Sequence, residues 1–173
     1  TCDGFFYRGK EVALVGAGDS ACEEALYLSN LCTTVHMIVR KDEMRASKIM
    51  QERVFKTKNI KVYWNTETDE VLGAKDVEGV RVVNNVTGEK TEIPIHGFFV
   101  AIGHKPNSDI FAEYLDLDPA GYVITKPGST KTQEVGVFAC GDLQDSIYRQ
   151  AVTAAGTGCM AALDAERFIS EQE

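Results

Sequence analysis

Apolar residues in this chain fall into short runs separated by segments in which they recur at helical spacing. Residues 12–15 form one such run, residues 35–39 form another, and between them apolar side chains return every three or four positions. A short apolar run indicates a strand, whereas the wider spacing indicates a helix that packs on one face. The pattern predicts a first strand, a helix from about Ser20 to Leu31 and a second strand. This βαβ order is typical of an α/β fold with a parallel sheet.

Two glycines mark the junction between the first strand and the helix. Residues 16–21 read Gly-Ala-Gly-Asp-Ser-Ala, which fits the G-x-G-x-x-A fingerprint of dinucleotide-binding units. The first glycine makes the turn, the second lets the backbone approach a pyrophosphate, and the third small residue packs helix on strand. Helix N-terminal amides then face the phosphates. A glycine turn between any strand and helix is the alternative, but the βαβ context favours a site formed by Gly16, Gly18, Asp19, Ser20 and Ala21.

Cationic residues follow the second strand, at the position that distinguishes the two nicotinamide dinucleotides. NAD-binding units tend to carry Asp or Glu there for the ribose 2′-hydroxyl, whereas NADP-binding units use Arg for the 2′-phosphate. This chain has Arg40, Lys41 and Arg45, and residues 40–61 hold eight Lys/Arg against three Asp/Glu. A basic segment in a chain of net charge −8 predicts an anionic ligand there. A solvated loop and helix face is the alternative, which the neighbouring acidic residues keep open.

The segment up to residue 102 carries further predicted elements. A helix is expected over residues 46–55, with Ile49, Met50 and Val54 on one face. The continuous apolar run 98–102 predicts a buried strand. Shorter strands between turn residues, the last two joined by a hairpin, are predicted at 60–64, 70–73, 79–83 and 91–95.

The character of the chain changes beyond residue 107, after a break at residues 103–107 that predicts a crossing between domains. Short strands are predicted at 122–125 and 137–139. Asp142 follows the second of them, at the strand end where α/β sheets bind ligands. From about Tyr148 a predicted helix is rich in Ala and Gly, which indicates close approach of its backbone to a sheet or a cofactor. Ordinary tight packing explains each small residue equally well.

Composition narrows the classes of protein. The chain has 173 residues, and its acidic balance argues against general nucleic-acid binding, which needs a basic surface. No apolar run is long enough to predict a membrane span, and the first residues do not resemble a signal peptide. An odd number of cysteines, five, fits a reduced cytoplasmic chain better than a disulfide framework. No metal site is predicted, and the four cysteines after the first are expected to be core thiols.

Several motifs together resemble those of the bacterial-type, low-molecular-weight thioredoxin reductases, along essentially the whole chain. A single motif of this kind is shared by many flavoproteins, but the set, in this order and spacing, is specific. The motifs are TCDGFF at 1–6, GAGDSA at 16–21, VRKDEMRAS at 39–47, AIGHKPN at 101–107, GVFACGD at 136–142 and YRQAVTAAGTGC at 148–159.

The resemblance implies a flavoenzyme that uses NADPH and FAD. It implies that Cys2 is the second cysteine of a redox-active pair and that Asp3 is its acid–base residue. It also implies that the glycine fingerprint binds the NADPH pyrophosphate and that Arg40, Lys41 and Arg45 bind its 2′-phosphate. Further cofactor contacts are expected from Ile102, Gly103, Gly141, Asp142, Arg149, Gln150 and Ala151, of which Asp142 would bind FAD and the last three would lie against the flavin ring.

The same resemblance implies a division of the chain into two parts. Residues 1–104 would form a three-layer, Rossmann-like NADPH-binding domain without its first residues. Residues 105–173 would form the C-terminal part of a discontinuous FAD domain, which we expect to be loose without the N-terminal FAD-binding segment. The intact enzyme would be a cytoplasmic homodimer that passes electrons from NADPH through FAD and the cysteine pair to thioredoxin. This chain alone is not expected to be competent.

Two departures from the family pattern matter. The usual His-Arg-Arg of the 2′-phosphate site is Val39-Arg40-Lys41 here, which weakens the expected preference for NADPH over NADH. The first redox cysteine does not occur, and thiol–disulfide exchange in this type of enzyme requires the pair. Two alternatives therefore stay open: an NADPH-binding module without turnover, and a related flavin-dependent reductase with another electron acceptor.

Overall fold

The computed structural model describes residues 2–172, except for the side chain of Cys2. The chain divides into two compact units, Thr1–Gly103 and His104–Glu173. The described part of the first unit opens with a 3₁₀ turn, Cys2–Tyr7. Its helices are α1 (Asp19–Ser29) and α2 (Lys48–Lys56). Its strands are β1 (Glu11–Val15), β2 (Thr34–Ile38), β3 (Ile60–Tyr63), β4 (Thr66–Leu72), β5 (Gly79–Asn84), β6 (Lys90–Pro94) and β7 (Gly97–Val100).

Four of these strands form a parallel sheet in the order β3-β2-β1-β7. The predicted βαβ unit is therefore confirmed, because β1, α1 and β2 follow one another and the two strands pair in parallel from Glu11 with Thr34 to Val15 with Ile38. The remaining strands form an antiparallel sheet in the order β4-β5-β6, in which β5 and β6 make the predicted hairpin. This sheet replaces the helix that usually connects parallel strands such as β3 and β7.

The alternation of side chains along the parallel strands gives the unit two cores. Val12 and Leu14 of β1 face the helices and pack with residues such as Leu28 of α1 and Val54 of α2. Ala13 faces the other way, into a second core with β2 and the antiparallel sheet, built from Ile38, Val80, Val82, Ile93 and Ile95. The unit thus has three layers (helices, parallel sheet, antiparallel sheet), which confirms the predicted α/β class.

Two sequence-based details of this unit were wrong. Strand β7 is only partly buried: Gly97 is buried and Phe98 and Phe99 are half-buried, but Val100 is 62% exposed. The strand lies at the edge of the described sheet and pairs there only with β1. In α2, Met50 and Val54 are buried one turn apart, but Ile49 is 66% exposed. A residue next to a buried one is rotated about 100° around a helix, so Ile49 lies outside the buried stripe.

The second unit has little regular structure among its described residues. It contains the 3₁₀ turns Asp109–Phe111 and Gly141–Leu143, the helix α3 (Ala151–Ser170), and a small core formed by Leu115, Val123 and Ala139. The predicted strands at 122–125 and 137–139 are not formed. Each contributes one isolated bridge, Leu117 with Val123 and Lys131 with Phe138. A strand needs neighbours that take up its backbone hydrogen bonds, and no ladder exists within the described part of this unit.

Helix α3 begins three residues later than predicted, and none of its described side chains is buried. A Cβ added at Gly156 or Gly158 would meet no atom within 4 Å, so the described residues of the chain make no close approach to this small-residue surface. Among residues 2–172 there is also no helix long and apolar enough to cross a membrane.

Candidate dinucleotide-binding site

The glycine turn after β1 is too crowded to accept a side chain at its first position. Gly16 has φ +152°, and a Cβ there would overlap the carbonyl oxygen of Ala101 and lie 2.7 Å from the Cβ of Ala21. Gly18 differs, because its φ is −91° and an added Cβ would meet nothing within 4 Å. The first glycine therefore closes the turn against β7 and α1, whereas the second leaves open space at the start of the helix.

Helix α1 begins at this open space. Its first hydrogen bond runs from the amide of Cys22 to the carbonyl oxygen of Gly18, at 3.0 Å. The amides of Asp19, Ser20 and Ala21 precede that bond and have no acceptor within the helix. Free amides at a helix N-terminus, together with the helix dipole, favour a bound phosphate.

The carboxylate of Asp19 is engaged by the protein itself. It accepts hydrogen bonds from the amide of Ser47 at 2.9 Å and from the Ser47 hydroxyl at 2.8 Å. These bonds, the amide first, hold the pKa of Asp19 below its usual value. Ala17 binds the same segment, because its carbonyl oxygen accepts the amides of Arg45 and Ala46 at 2.8 and 3.0 Å. Hydrogen bonds thus join the glycine turn to the loop that carries Arg40, Lys41 and Arg45, which we call the cationic loop (residues 39–47).

The backbone that carries the cations is fixed from its other side as well. Val39, which stands where the motif usually has histidine, is 1% exposed and packs in the core that faces the helices. Its side chain is therefore not available to a ligand. The carbonyl oxygen of Arg40 accepts the side-chain amide of Asn85 at 2.8 Å, and that of Lys41 accepts the backbone amide of Asn65 at 3.1 Å. Turns of the antiparallel sheet therefore hold the loop in place.

The three predicted cations line a single cavity with the glycine turn. Its volume is about 540 Å³, and its other walls come from the ends of β1 and β2, the start of β4 and Ile102. Arg40, Lys41 and Arg45 are exposed, and none forms an ion pair with another residue between positions 2 and 172. The glycine turn reaches this cavity through Gly16 and Ala17, whereas the predicted residues 18–21 are not among its lining residues. The unpaired cations make the cavity suited to an anionic ligand, and the free amides at the start of α1 follow directly after the lining residues in sequence.

Sequence reasoning missed part of the cavity wall. Thr66, Glu67 and Thr68 of β4 line it, and so does Glu43. The local sequence of the three β4 residues does not predict this position, because β4 belongs to the antiparallel sheet and is brought to the site only by the fold of the unit. Ile102, one of the predicted cofactor contacts, lines the cavity, and Gly103 ends the unit with φ +114° and open space around its Cα.

The predicted redox residues lie at the edge of what the structure describes. The side chain of Cys2 is outside the described part, and Asp3 is exposed within the first 3₁₀ turn. The same turn exposes two aromatic rings, since Phe5 and Phe6 are 61% and 73% exposed. Their ring centroids lie 6.3 Å apart, and the Arg8 guanidinium lies 5.4 Å from the Phe5 ring.

The predicted flavin-site residues all lie in the second unit, around the start of α3. Arg149 has the unusual φ of +50°, and Asp145 stabilises this turn by accepting the amides of Ile147, Tyr148 and Arg149 at 2.8 to 3.0 Å. These bonds, the Tyr148 amide first, lower the pKa of Asp145.

The 3₁₀ turn that contains Gly141 and Asp142 is tied to the same helix. The amide of Gly141 binds the Thr157 hydroxyl at 2.9 Å, and Asp142 is exposed. Gln150 caps α3 just before Ala151, in a capping box with Thr153. The predicted residues are therefore neighbours along a hydrogen-bonded turn and helix start.

The remaining cysteines only partly match the prediction of core thiols. Cys22 and Cys32 are buried, and burial raises the pKa of Cys22 to about 11, which keeps it protonated and unreactive. Cys140 is half-buried, and Cys159 is exposed on α3, so the prediction was wrong for Cys159.

Comparisons with known proteins agree with this architecture. Thioredoxin reductases of Debaryomyces hansenii and Rickettsia bellii are 50% and 53% identical to the chain over 99% of its length, which is 54% and 56% of theirs. The crystal structure of thioredoxin reductase from Streptococcus pyogenes aligns over 98% of this chain and 55% of its own, with a TM-score of 0.88 and 32% identity. The enzyme from Giardia duodenalis aligns over 97% and 55%, with a TM-score of 0.80 and 40% identity.

The chain therefore spans about half the length of the relatives that it matches. The sequence model of one family, described as pyridine nucleotide-disulphide oxidoreductase, matches residues 1–158. That match covers the first unit and most of the second, and it includes the glycine turn, the cationic loop and the start of α3. The chain belongs to the pyridine nucleotide-disulphide oxidoreductase family.

Proposed function

We propose that the first unit binds NADPH and that the chain serves as the nucleotide-binding half of a thioredoxin-disulfide reductase. The observation that carries this proposal is the cavity shared by the glycine turn and by Arg40, Lys41 and Arg45. The amides of residues 19–21 would bind the pyrophosphate. The cations would bind the 2′-phosphate, Arg as a two-pronged donor and Lys as a point charge.

The second unit would contribute to an FAD site. Proteins of this family use FAD together with NADPH, and FAD supplies the relay between the nicotinamide and the cysteine pair. The residues around α3 fit such a group, because Gly156 and Gly158 leave its backbone open to close approach. Asp142 would bind the ribityl–phosphate region, and Arg149, Gln150 and Ala151 would lie against the flavin. Exposed apolar residues of α3, among them Val152 and Met160, are suited to an N-terminal FAD-binding segment.

Cys2 and Asp3 would carry the disulfide chemistry with a first cysteine supplied by that segment. One thiolate of the reduced pair would attack the disulfide of thioredoxin, forming a mixed disulfide and releasing one thioredoxin sulfur. The other cysteine of the pair would then attack the mixed disulfide, re-forming the disulfide of the pair and releasing the second thioredoxin sulfur, and Asp3 would supply a proton to a leaving sulfur. Phe5 and Phe6 support a protein acceptor, since exposed aromatic rings beside a reactive group are common in protein interfaces. The intact protein would act in the cytoplasm as a homodimer.

Calorimetric titration of the 173-residue chain with NADPH and with NADH tests the nucleotide site. Loss of the 2′-phosphate contacts is expected to cost NADH about 1.5 kcal/mol or more, roughly tenfold in affinity. Arg40→Ala should remove much of that difference, whereas Lys58→Ala, which changes a cation outside the cavity, should not. Equal binding of both nucleotides would contradict NADPH specificity, and binding of neither would contradict the site itself.

A second candidate function, an NADPH-binding module without turnover, applies to the chain as printed. It predicts nucleotide binding without reduction of thioredoxin, and addition of a matching N-terminal segment should then restore the activity only if the reductase assignment is right.

A further inference from the structure

Strand β4 places a carboxylate in the wall of the cationic cavity. Glu67 lines this cavity together with Arg40, Lys41 and Arg45, and it is exposed. It forms no ion pair with any residue between positions 2 and 172. The other carboxylates of β4 behave differently, because Asp69 binds Lys90 and Glu70 binds Arg81. Glu67 is thus the acid of this strand whose charge the protein does not neutralise.

The side chain of Asn85 connects Glu67 to the cationic loop. Its Nδ2 atom donates to the carbonyl oxygen of Arg40 at 2.8 Å and to Oε1 of Glu67 at 3.3 Å. A primary amide has two hydrogens, so one nitrogen can make both bonds. The backbone amide of Asn85 also donates to the carbonyl oxygen of Asn65, at 2.7 Å. Glu67 and the backbone of Arg40 are therefore held to one another by the tip of the β5–β6 hairpin.

A second feature of β4 points toward a ligand in the same cavity. Thr68 lines the cavity, and its hydroxyl is buried without a hydrogen-bond partner among the described residues. The pairing of β4 with β5 shifts register between Thr68 and Glu70, as at a β-bulge. Bulges often redirect side chains beside functional sites. A buried hydroxyl without a partner costs free energy, and a small movement at the bulge that turned it toward the cavity would let a polar ligand group recover this cost.

We propose that Glu67 is a specificity-determining residue of the nucleotide site. Its carboxylate accepts a hydrogen bond from the adenosine ribose 2′-hydroxyl of NADH and repels the 2′-phosphate of NADPH. The cations favour NADPH, and Glu67 therefore reduces the difference in affinity between NADPH and NADH. This proposal rests on the NADPH-binding function proposed above. It assigns the ribose-reading carboxylate to β4, rather than to the end of β2 where dinucleotide-binding folds usually carry it.

Glu67→Gln tests the proposal, because it removes the charge and keeps the size and the bond from Asn85. Binding of NADPH should strengthen about threefold or more, since a charge of the same sign as the phosphate is removed from the wall of the cavity. Binding of NADH should weaken by about threefold, since a charge-assisted hydrogen bond becomes a neutral one. The pair 2′-phospho-AMP and AMP should respond in the same directions, which isolates the ribose subsite from the nicotinamide.

Glu70→Gln is the matched control, because it removes a charge from the same strand outside the cavity and should leave both affinities unchanged. Equal shifts in the two variants, or shifts of NADPH and NADH in the same direction in Glu67→Gln, would overturn the assignment of Glu67 and leave the nucleotide site standing. Failure of the unmodified chain to bind either nucleotide would overturn both proposals. Thermal unfolding of each variant shows whether the fold is retained.

Discussion

The carboxylate of Asp19 binds Ser47 and so connects the start of helix α1 to the start of helix α2. Ser47 precedes α2, as its N-cap residue, and donates both its amide and its hydroxyl to the oxygen of Asp19 at the start of α1. The glycine turn and the cationic loop are 28 positions apart in sequence at this contact. The two halves of the proposed nucleotide site are therefore held together before any ligand binds.

This contact predicts a pH-dependent contribution to stability. The folded pKa of Asp19 lies below its unfolded value of about 3.9, so its contribution is fully present above pH ~4 and is lost as the pH falls through the folded pKa. Asp19→Asn should lower the free energy of unfolding at pH 7. At pH 3 the variant and the unmodified chain should differ less in their free energies of unfolding. Denaturant titrations at both pH values measure this, and an equal difference at the two pH values would contradict it.

The two glycines of the fingerprint should respond differently to alanine. Gly16→Ala forces a Cβ into the carbonyl of Ala101 at positive φ, so it should lower the free energy of unfolding by about 2 kcal/mol or more. Gly18→Ala meets open space and should fold normally, yet weaken NADPH binding about tenfold by filling the approach to the pyrophosphate. Unfolding and calorimetry on both variants separate the two effects. A stable Gly16→Ala variant would contradict the close contact.

Thr68→Val is expected to stabilise the free chain and weaken its ligand binding. Valine matches threonine in shape and removes the buried hydroxyl that has no partner among residues 2–172, which should raise the free energy of unfolding by about 1 kcal/mol. The same change should reduce affinity for NADPH a few-fold, because the bound nucleotide would lose this hydroxyl as a hydrogen-bond partner. Thermal unfolding with and without NADPH distinguishes weaker binding from a change in stability alone. A change in stability alone would raise the melting temperature equally in both conditions.

The second unit should exchange its amide hydrogens faster than the first. Helix α3 has no buried side chain among those described, and the hydrophobic cluster described in this unit is small, with Leu115, Val123 and Ala139 as its buried members. Few buried apolar contacts imply local opening at low free energy. Hydrogen exchange followed by mass spectrometry should show lower protection in residues 136–165 than in the parallel sheet. Equal protection in the two regions would contradict a loose second unit.

Local patterns in the sequence were sufficient for the βαβ unit and for the position of the cations. The glycines, the apolar period of α1 and the strand-ending Arg40 depend on neighbours within a few turns of chain. The exposure of β7 could not be predicted from local sequence, because it depends on how many strands pair with β7. In the described sheet β1 is the one strand that does. The strands predicted at 122–125 and 137–139 failed for a related reason, since their apolar residues have no sheet to join in the described unit.

The acidic wall of the site lay beyond sequence reasoning because its contacts are long-range. Asn85 and Arg40 are 45 positions apart, and Glu67 belongs to a strand whose polar residues give no sign of a ligand. Only the packing of the antiparallel sheet on the parallel one brings these side chains to the end of β2. The cations were predicted from a local pattern that is typical of phosphate binding, whereas no such local pattern marks Glu67 as a residue of the cavity wall.

The tip of the β5–β6 hairpin limits how freely this loop can vary in length. Surface hairpins usually tolerate insertions and deletions, since their tips make few contacts. Here Asn84 fixes the turn by accepting the amides of Val86 and Thr87, each at 3.0 Å, and the adjacent Asn85 reaches the carbonyl of Arg40. One residue more or fewer before Asn85 would move its amide away from the cationic loop. Loop length at this hairpin is therefore constrained by Asn85, a residue that holds the backbone of Arg40 without lining the cavity itself.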